Sequence, residues 1–316
     1  MVLPGWSCSA PPSAAAGRTV YETPYLWSDT LQPRRLMIIG DLQPTTWFEE
    51  KLLRRSQNDS VRDRMIERVV NEDPDLLLLL GDQVGVGERE DEWVKFDSLM
   101  APICRHDIPT YAIMGNHDYG LLGSSGIEHC ALRFPRVAVL PSLVLLADSV
   151  ALVVVDSNLE TLPDRLREHQ EKRYREILKR LDRSPSIRGV IVASHHPPYT
   201  NADLPINPAV RETFVPPFME AKKTLLFLSG HIHSYERFEI DGKTFVVSGG
   251  GGGPRRKVDT SAARPHTTDQ YRRGIWRYHH YVDLQIRPEG IRGEVHMLLG
   301  EEFRLGDGFA LRWNVK

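Results

Sequence analysis

Five leucines in a row, Leu76 to Leu80, followed at once by Gly81-Asp82, constrain this chain more than any other feature. A strand turns alternate side chains to opposite faces, so an unbroken apolar run of this length has to be covered on both. That is the situation of a strand inside a parallel sheet. The pattern recurs. Leu36-Met37-Ile38-Ile39 ends in Gly40-Asp41-Leu42-Gln43, and Pro109 to Met114 ends in Gly115-Asn116-His117-Asp118. Val190 to Ala193 ends in Ser194-His195-His196-Pro197-Pro198-Tyr199, and Leu225 to Leu228 leads into Gly230-His231-Ile232-His233-Ser234.

Helical spacing fills the intervals. Trp47 to Asn71 carries apolar residues at Leu52, Leu53, Val61, Met65, Ile66, Val69 and Val70, and Asp91 to Met100 predicts a short helix. Pro163 to Leu181 predicts a longer one, with Leu166, Tyr174, Ile177 and Leu178 as its buried stripe. Asn207 to Ala221 reads as helix or loop. Hairpins are expected over Ser142–Asp156, turning at Asp148-Ser149, and over Phe238–Val247, turning at Asp241-Gly242. A third joins His280–Ile286 to Gly293–Leu299 around Pro288-Glu289-Gly290. Strands alternating with helices predict an α/β fold, and the hairpins predict mixed sheets. No internal repeat or linker divides the chain, so one domain over residues 31–316 is expected, with residues 1–30 as a loosely ordered tail.

Composition removes several function classes. A net charge of −2 over 316 residues lacks the basic surplus of a nucleic-acid-binding protein. Cys8, Cys104 and Cys130 form neither an even set nor a CxxC pair, which speaks against a disulfide framework or zinc ribbon and for a reducing compartment. No apolar run approaches the ~18 residues of a membrane span. Met1 to Gly17 lacks the charged start and apolar centre of a secretory signal, so a cytoplasmic location is expected, with an atypical export signal left open.

The chemistry sits at the strand ends, where open α/β sheets place their ligands. Taken singly, Asp41 and Asp82 could be helix N-caps, Asn116-His117-Asp118 a turn, and His195-His196-Pro197 a rigid exit. His231 and His233, two apart in an extended segment, would point the same way. Carboxylates, an amide oxygen and imidazoles gathered at one point are costly without cations. Mixed oxygen and nitrogen donors without thiolate suit Mn, Fe, Zn or Co.

In order and residue type, the five blocks resemble the calcineurin-like metallophosphoesterase superfamily, over roughly residues 36–237. The resemblance implies two facing mixed β-sheets flanked by helices, and a site for two divalent or mixed-valence metal ions. It implies Asp82 as a bridging carboxylate, Asp41 and His233 on one ion, and Asn116, His195 and His231 on the other. His195 is preferred to His196 because Pro197 and Tyr199 stand at the family's offsets. His117 would contact the substrate phosphate and protonate the leaving alkoxide, with Asp118 orienting its ring, while a metal-bound hydroxide attacks. The departure is Gln43, where the family most often has His; Gln43 can ligate through its carbonyl oxygen or hold a water. Gly85 stands where many members have an acid or Tyr, so a Tyr-ligated purple acid phosphatase is not expected. The expected function is hydrolysis of a small phosphomonoester or phosphodiester, without nucleic-acid partners. A scaffold that keeps the fold with a degraded site is the alternative. The sequence leaves substrate identity and oligomeric state open.

Other residues stay subordinate. Gly249 to Gly253 reads as a flexible turn rather than an anion nest, and Arg255, Arg256 and Lys257 as a solvated run. Tyr119 and Tyr199 could line the pocket. Asp156 and Asn158 could support the site or cap a turn, and His279 and His280 have no assigned place.

Overall fold

Alternation along the leucine run sets the layers. Leu76, Leu78 and Leu80 join Leu36 and Ile38 in a core that also holds Leu152, Ile191 and Leu228. Leu77 and Leu79 turn the other way and pack, with Met37 and Ile39, on Met65, Trp93 and Phe96. All five leucines are fully or almost fully buried, each worth about 1.5–3 kcal/mol of transfer energy. The expected two-faced burial is what the chain adopts.

The computed structural model describes residues 32–45, 58–120, 125–138, 140–147 and 149–313. The expected tail, the first part of the helix expected from Trp47, and the turn residue Asp148 lie outside the described residues. The first sheet runs β12-β11-β10-β1-β2-β3 and the second β4-β5-β6-β7-β9-β8. In the first, β1 (Arg35–Ile39), β2 (Leu76–Leu79) and β3 (Thr110–Ala112) are parallel neighbours, while β10 (His280–Arg287), β11 (Gly290–Leu299) and β12 (Glu302–Arg312) add antiparallel strands. In the second, β5 (Val150–Val154), β6 (Gly189–Ser194), β7 (Thr224–Ser229) and β9 (Lys243–Ser248) are parallel, flanked antiparallel by β4 (Ser142–Leu146) and β8 (Tyr235–Ile240). Helices α1 (Asp59–Glu72), α2 (Glu90–Arg105) and α4 (Ser125–Arg133) cover the first sheet; α3 is the single turn Asn116–Tyr119. Helices α5 (Asp164–Arg183) and α6 (Pro208–Glu220) cover the second. The result is four layers, with two mixed sheets face to face between helices.

Three local expectations change. The α2 helix extends to Arg105, with Pro102 inside it. Leu166 is 51% exposed, because α5 meets its sheet only from Gln170 onward, through Tyr174, Ile177, Leu178 and Leu181. The β12 strand was not expected: most of its residues are exposed or partly exposed, and pairing with β11 rather than a buried face holds it.

Candidate metal centre

Each parallel strand ends beside the seam between the sheets, and the backbone there is unusual. Asp41, Asp82 and His231, each one residue past a glycine, have φ values of 61°, 54° and 65°. Left-handed backbone at non-glycine residues is sparsely populated and tends to mark functional positions. The preceding glycines answer to crowding. A Cβ on Gly81 would overlap His195 Nδ1, and one on Gly115 would overlap the Asp82 carboxylate. At Gly81, Gly115 and Gly230 the glycine reflects the close approach of another loop's site residue, and at Gly40 that of the Ser248 carbonyl.

The side chains converge. Asp41, Asp82 and His233 each offer one donor atom within 4.8 Å of one another, and His195, His196 and His231 form a second such group. Asn116 Oδ1 lies 3.1 Å from His195 Nε2 and 3.0 Å from His231 Nδ1. Asp82 Oδ2 is 3.4 Å from His195 Nε2, and Asp41 Oδ1 is 3.4 Å from His233 Nε2. Asp82 thus belongs to the first group and touches the second. Six of the seven metal-site residues picked from sequence share one place, and Gln43 is buried just past Asp41 on the same loop.

Donor chemistry tests whether cations fit. His195 Nδ1–H donates to Leu80 O at 2.8 Å and His233 Nδ1–H to Pro254 O at 2.8 Å. A backbone carbonyl on one ring nitrogen fixes the tautomer and leaves the Nε2 lone pair pointing at the cluster. Those lone pairs face carboxylate and amide oxygens, an arrangement that is repulsive unless a cation or proton lies between. Asp41 Oδ1 and Gln43 Oε1 are buried acceptors without a hydrogen-bond partner, and buried acceptors are rarely left so. The donor set fits divalent cations. Burial opposes an imidazolium at His195, yet the Asp82 carboxylate outweighs it and pushes that ring up to about 9. Burial and the neighbouring His195 push His231 well below its ordinary range and His196 down to about 3, leaving neutral donors. Burial alone would raise Asp82, but His195 and His117 hold its carboxyl well below the usual range.

Three expectations need correction. The β7 strand stops at Ser229, and Gly230–Ser234 bends instead of continuing extended, with Ile232 N–H donating to Gly230 O at 2.7 Å. His231 and His233 therefore do not point the same way; they fall in different groups, the division that the family resemblance implied. Asp118 does not orient His117. Its carboxylate accepts the N–H groups of Asp82, Gln83 and Gly115 at 2.8–2.9 Å, and that of Val84 at 3.3 Å, which shapes the loops beneath the site. His117 Nδ1–H donates to Gly85 O at 2.7 Å instead, so the residue lacking a side chain orients the ring through its carbonyl. Gly249 to Gly253 is buried, not a flexible turn. Gly251 N–H donates to Gly40 O at 2.8 Å and Gly253 N–H to Asp41 O at 2.9 Å, and a Cβ on Gly253 would crowd His233 Cε1 at 2.6 Å.

The supporting residues sort out similarly. Asp156 accepts hydrogen bonds from Tyr119 OH and from the Asn158 backbone at 2.9 Å, so it braces the wall under Asn116. Tyr199 packs edge-on against Phe245, 4.9 Å between ring centres. His280 is fully buried and bonded to Ser248 Oγ at 3.1 Å. His196, passed over in the sequence, lies 3.0 Å from Ser157 Oγ; adjacency to His195 was its sole signal.

A family model described as calcineurin-like phosphoesterase matches residues 34–235. The chain belongs to that family. Among curated protein sequences none matches it. Solved structures of the same fold include GAP50, the anchor in the inner membrane complex of Plasmodium, at 12% identity and TM-score 0.63, with 90% of each chain covered. The purple acid phosphatase PPD1 of yellow lupin (Lupinus luteus) is 17% identical with TM-score 0.66, over 88% of this chain and 53% of that one. A dimetal phosphatase from Danio rerio is 14% identical with TM-score 0.58, over 90% of this chain and all of that one. At these identities the likeness is one of fold.

Proposed function

We propose that this family member is a dinuclear metal-dependent phosphoesterase. Asp41, Gln43, Asp82 and His233 would hold one ion, and Asp82, Asn116, His195 and His231 the other, with His196 beside the second. The observation that carries the reading is the set of opposed lone pairs on His195, His231, His233, Asp41, Asp82 and Asn116. When bound, two such ions neutralise phosphoryl charge and make water nucleophilic near neutral pH.

The chain's own residues supply the remainder. With Nδ1–H committed to Gly85 O, His117 presents Nε2 as its free nitrogen. Burial opposes its protonation, but Asp82 and the Gly85 carbonyl outweigh it and raise its pKa. Water adds to phosphorus, the ester P–O bond breaks, and the alkoxide takes the Nε2 proton. The products are an alcohol and either phosphate or a phosphomonoester. The test is hydrolysis of an aryl phosphate before chelation, after it, and after Mn, Fe, Zn or Co is added back. Turnover lost and restored supports the reading; turnover indifferent to chelation removes it.

A scaffold role is the second reading. It draws on the fold shared with GAP50, the anchor in the inner membrane complex of Plasmodium, and on Gln43 at a position where the family more often has His. A protein without bound metal and without turnover would favour it.

A further inference from the structure

Among the described residues, exposed large apolar side chains are scattered, with one exception. Val94, Leu145, Leu166 and Leu305 stand apart, but Ile275, Trp276 and Tyr278 fall within four residues and are 49, 44 and 46% exposed. Single exposed apolar residues are ordinary; three at one loop tip are not. Cations surround them. Arg272 and Arg273 are exposed in the loop, and Arg255 and Lys257 in the segment beside it. Lys257 and Trp276 form a backbone bridge, Val258 N–H donates to Ile275 O at 2.8 Å, and Lys257 Nζ lies 5.5 Å from the Trp276 ring centre. Residues 249–258 and 270–280 contain no acid, the nearest being Asp259 and the buried Asp269. On a chain of net charge −2 this is a local excess of positive charge around an apolar tip.

The tip is held in shape. Arg277, fully buried, donates to Tyr235 O at 3.1 Å and Tyr271 O at 2.9 Å, and also to the carbonyls of Arg273 and Gly274. Gly274 makes the turn with φ of 71°. Segments flanking the tip are tied by backbone hydrogen bonds to the loops of the metal centre. Arg256 N–H donates to His233 O at 3.1 Å, and His280 N–H to Gly250 O at 3.0 Å.

Trp and Tyr favour the water–lipid interface, and nearby Lys and Arg are drawn to anionic headgroups. Single-stranded nucleic acid would use the cations and stack on the rings but would leave Ile275 without a role. We propose that this tip docks on an anionic lipid bilayer.

The experiment is co-sedimentation with phosphatidylcholine vesicles, with and without phosphatidylserine. It compares the native protein, Ile275→Ser/Trp276→Ser, Arg272→Ser/Arg273→Ser and Asp82→Asn, with far-UV circular dichroism confirming that each is folded. Binding is expected only with phosphatidylserine. It should weaken about fivefold for each cation removed, disappear in the Ile275/Trp276 double variant, and persist in Asp82→Asn. No binding to phosphatidylserine vesicles, or binding indifferent to both double variants, overturns the proposal. Binding of single-stranded RNA without vesicle binding overturns it too. Vesicle binding without phosphate-ester turnover in the native protein would leave the docking surface standing and sink the phosphoesterase reading.

Discussion

The two sheets bring opposite chemistry to the same seam. The first ends β1, β2 and β3 in Asp41, Gln43, Asp82 and Asn116, all oxygen donors; the second ends β6 and β7 in His195, His196, His231 and His233, all nitrogen donors. His117, an imidazole on the oxygen side, is committed to Gly85 rather than to the two groups. Neither sheet alone offers the mixed set that a first-row divalent ion favours. In the proposed phosphoesterase each cation would clamp the two sheets together, and both stability and turnover should depend on the seam.

The largest effect is expected from the oxygen side. Asp82→Asn keeps the shape but removes the charge shared by both groups, and aryl-phosphate turnover should fall about 10³-fold or more. Turnover within tenfold of native would show that the bridge is not at Asp82. His117→Ala leaves the clamp intact and removes the proton donor. Its kcat on an alkyl phosphate should fall about 10²- to 10⁴-fold, and less on an aryl phosphate, whose leaving group needs no proton. Equal losses on both substrates would contradict the general-acid role.

Gly81→Ala probes the crowding across the seam. With φ at 97° and a Cβ overlapping His195 Nδ1, it should weaken metal affinity about 10- to 100-fold, read by competition with a chelating dye. Native affinity would mean that the His195 loop gives way freely. The smallest expected effect lies away from the seam. Burial pushes the Glu236 carboxyl up to about 7 although Thr200 and the Asn201 N–H stabilise its charge. A carboxyl raised in the folded state adds stability at low pH that is lost as pH rises from about 4.5 to about 7. Glu236→Gln should flatten that decline and raise stability above pH 7 by an amount on the order of 1 kcal/mol. A melting profile parallel to the native one would contradict this.

What was legible in the sequence follows from which forces write themselves into it. Burial does. The leucine run, the β4–β5 and β8–β9 hairpins and the stripe from Tyr174 onward all follow apolar spacing. Backbone pairing does not, and so β12, whose side chains are mostly exposed, left no readable pattern. The donor residues were visible as types at strand ends. Their division between two ions followed from the family resemblance and not from spacing, which put His231 and His233 on one side; the bend at Gly230–Ser234 that separates them is written in backbone geometry rather than in side-chain periodicity. The same limit hid Gly85, whose contribution is a carbonyl, and the packed glycine wall, whose meaning lies in what stands against it.

The most direct test of the clamp is the number of metal ions bound per chain in protein purified without chelators, measured by elemental mass spectrometry. Two are expected. A protein that carries none, and takes up none when Mn, Fe, Zn or Co is supplied, would contradict the clamp.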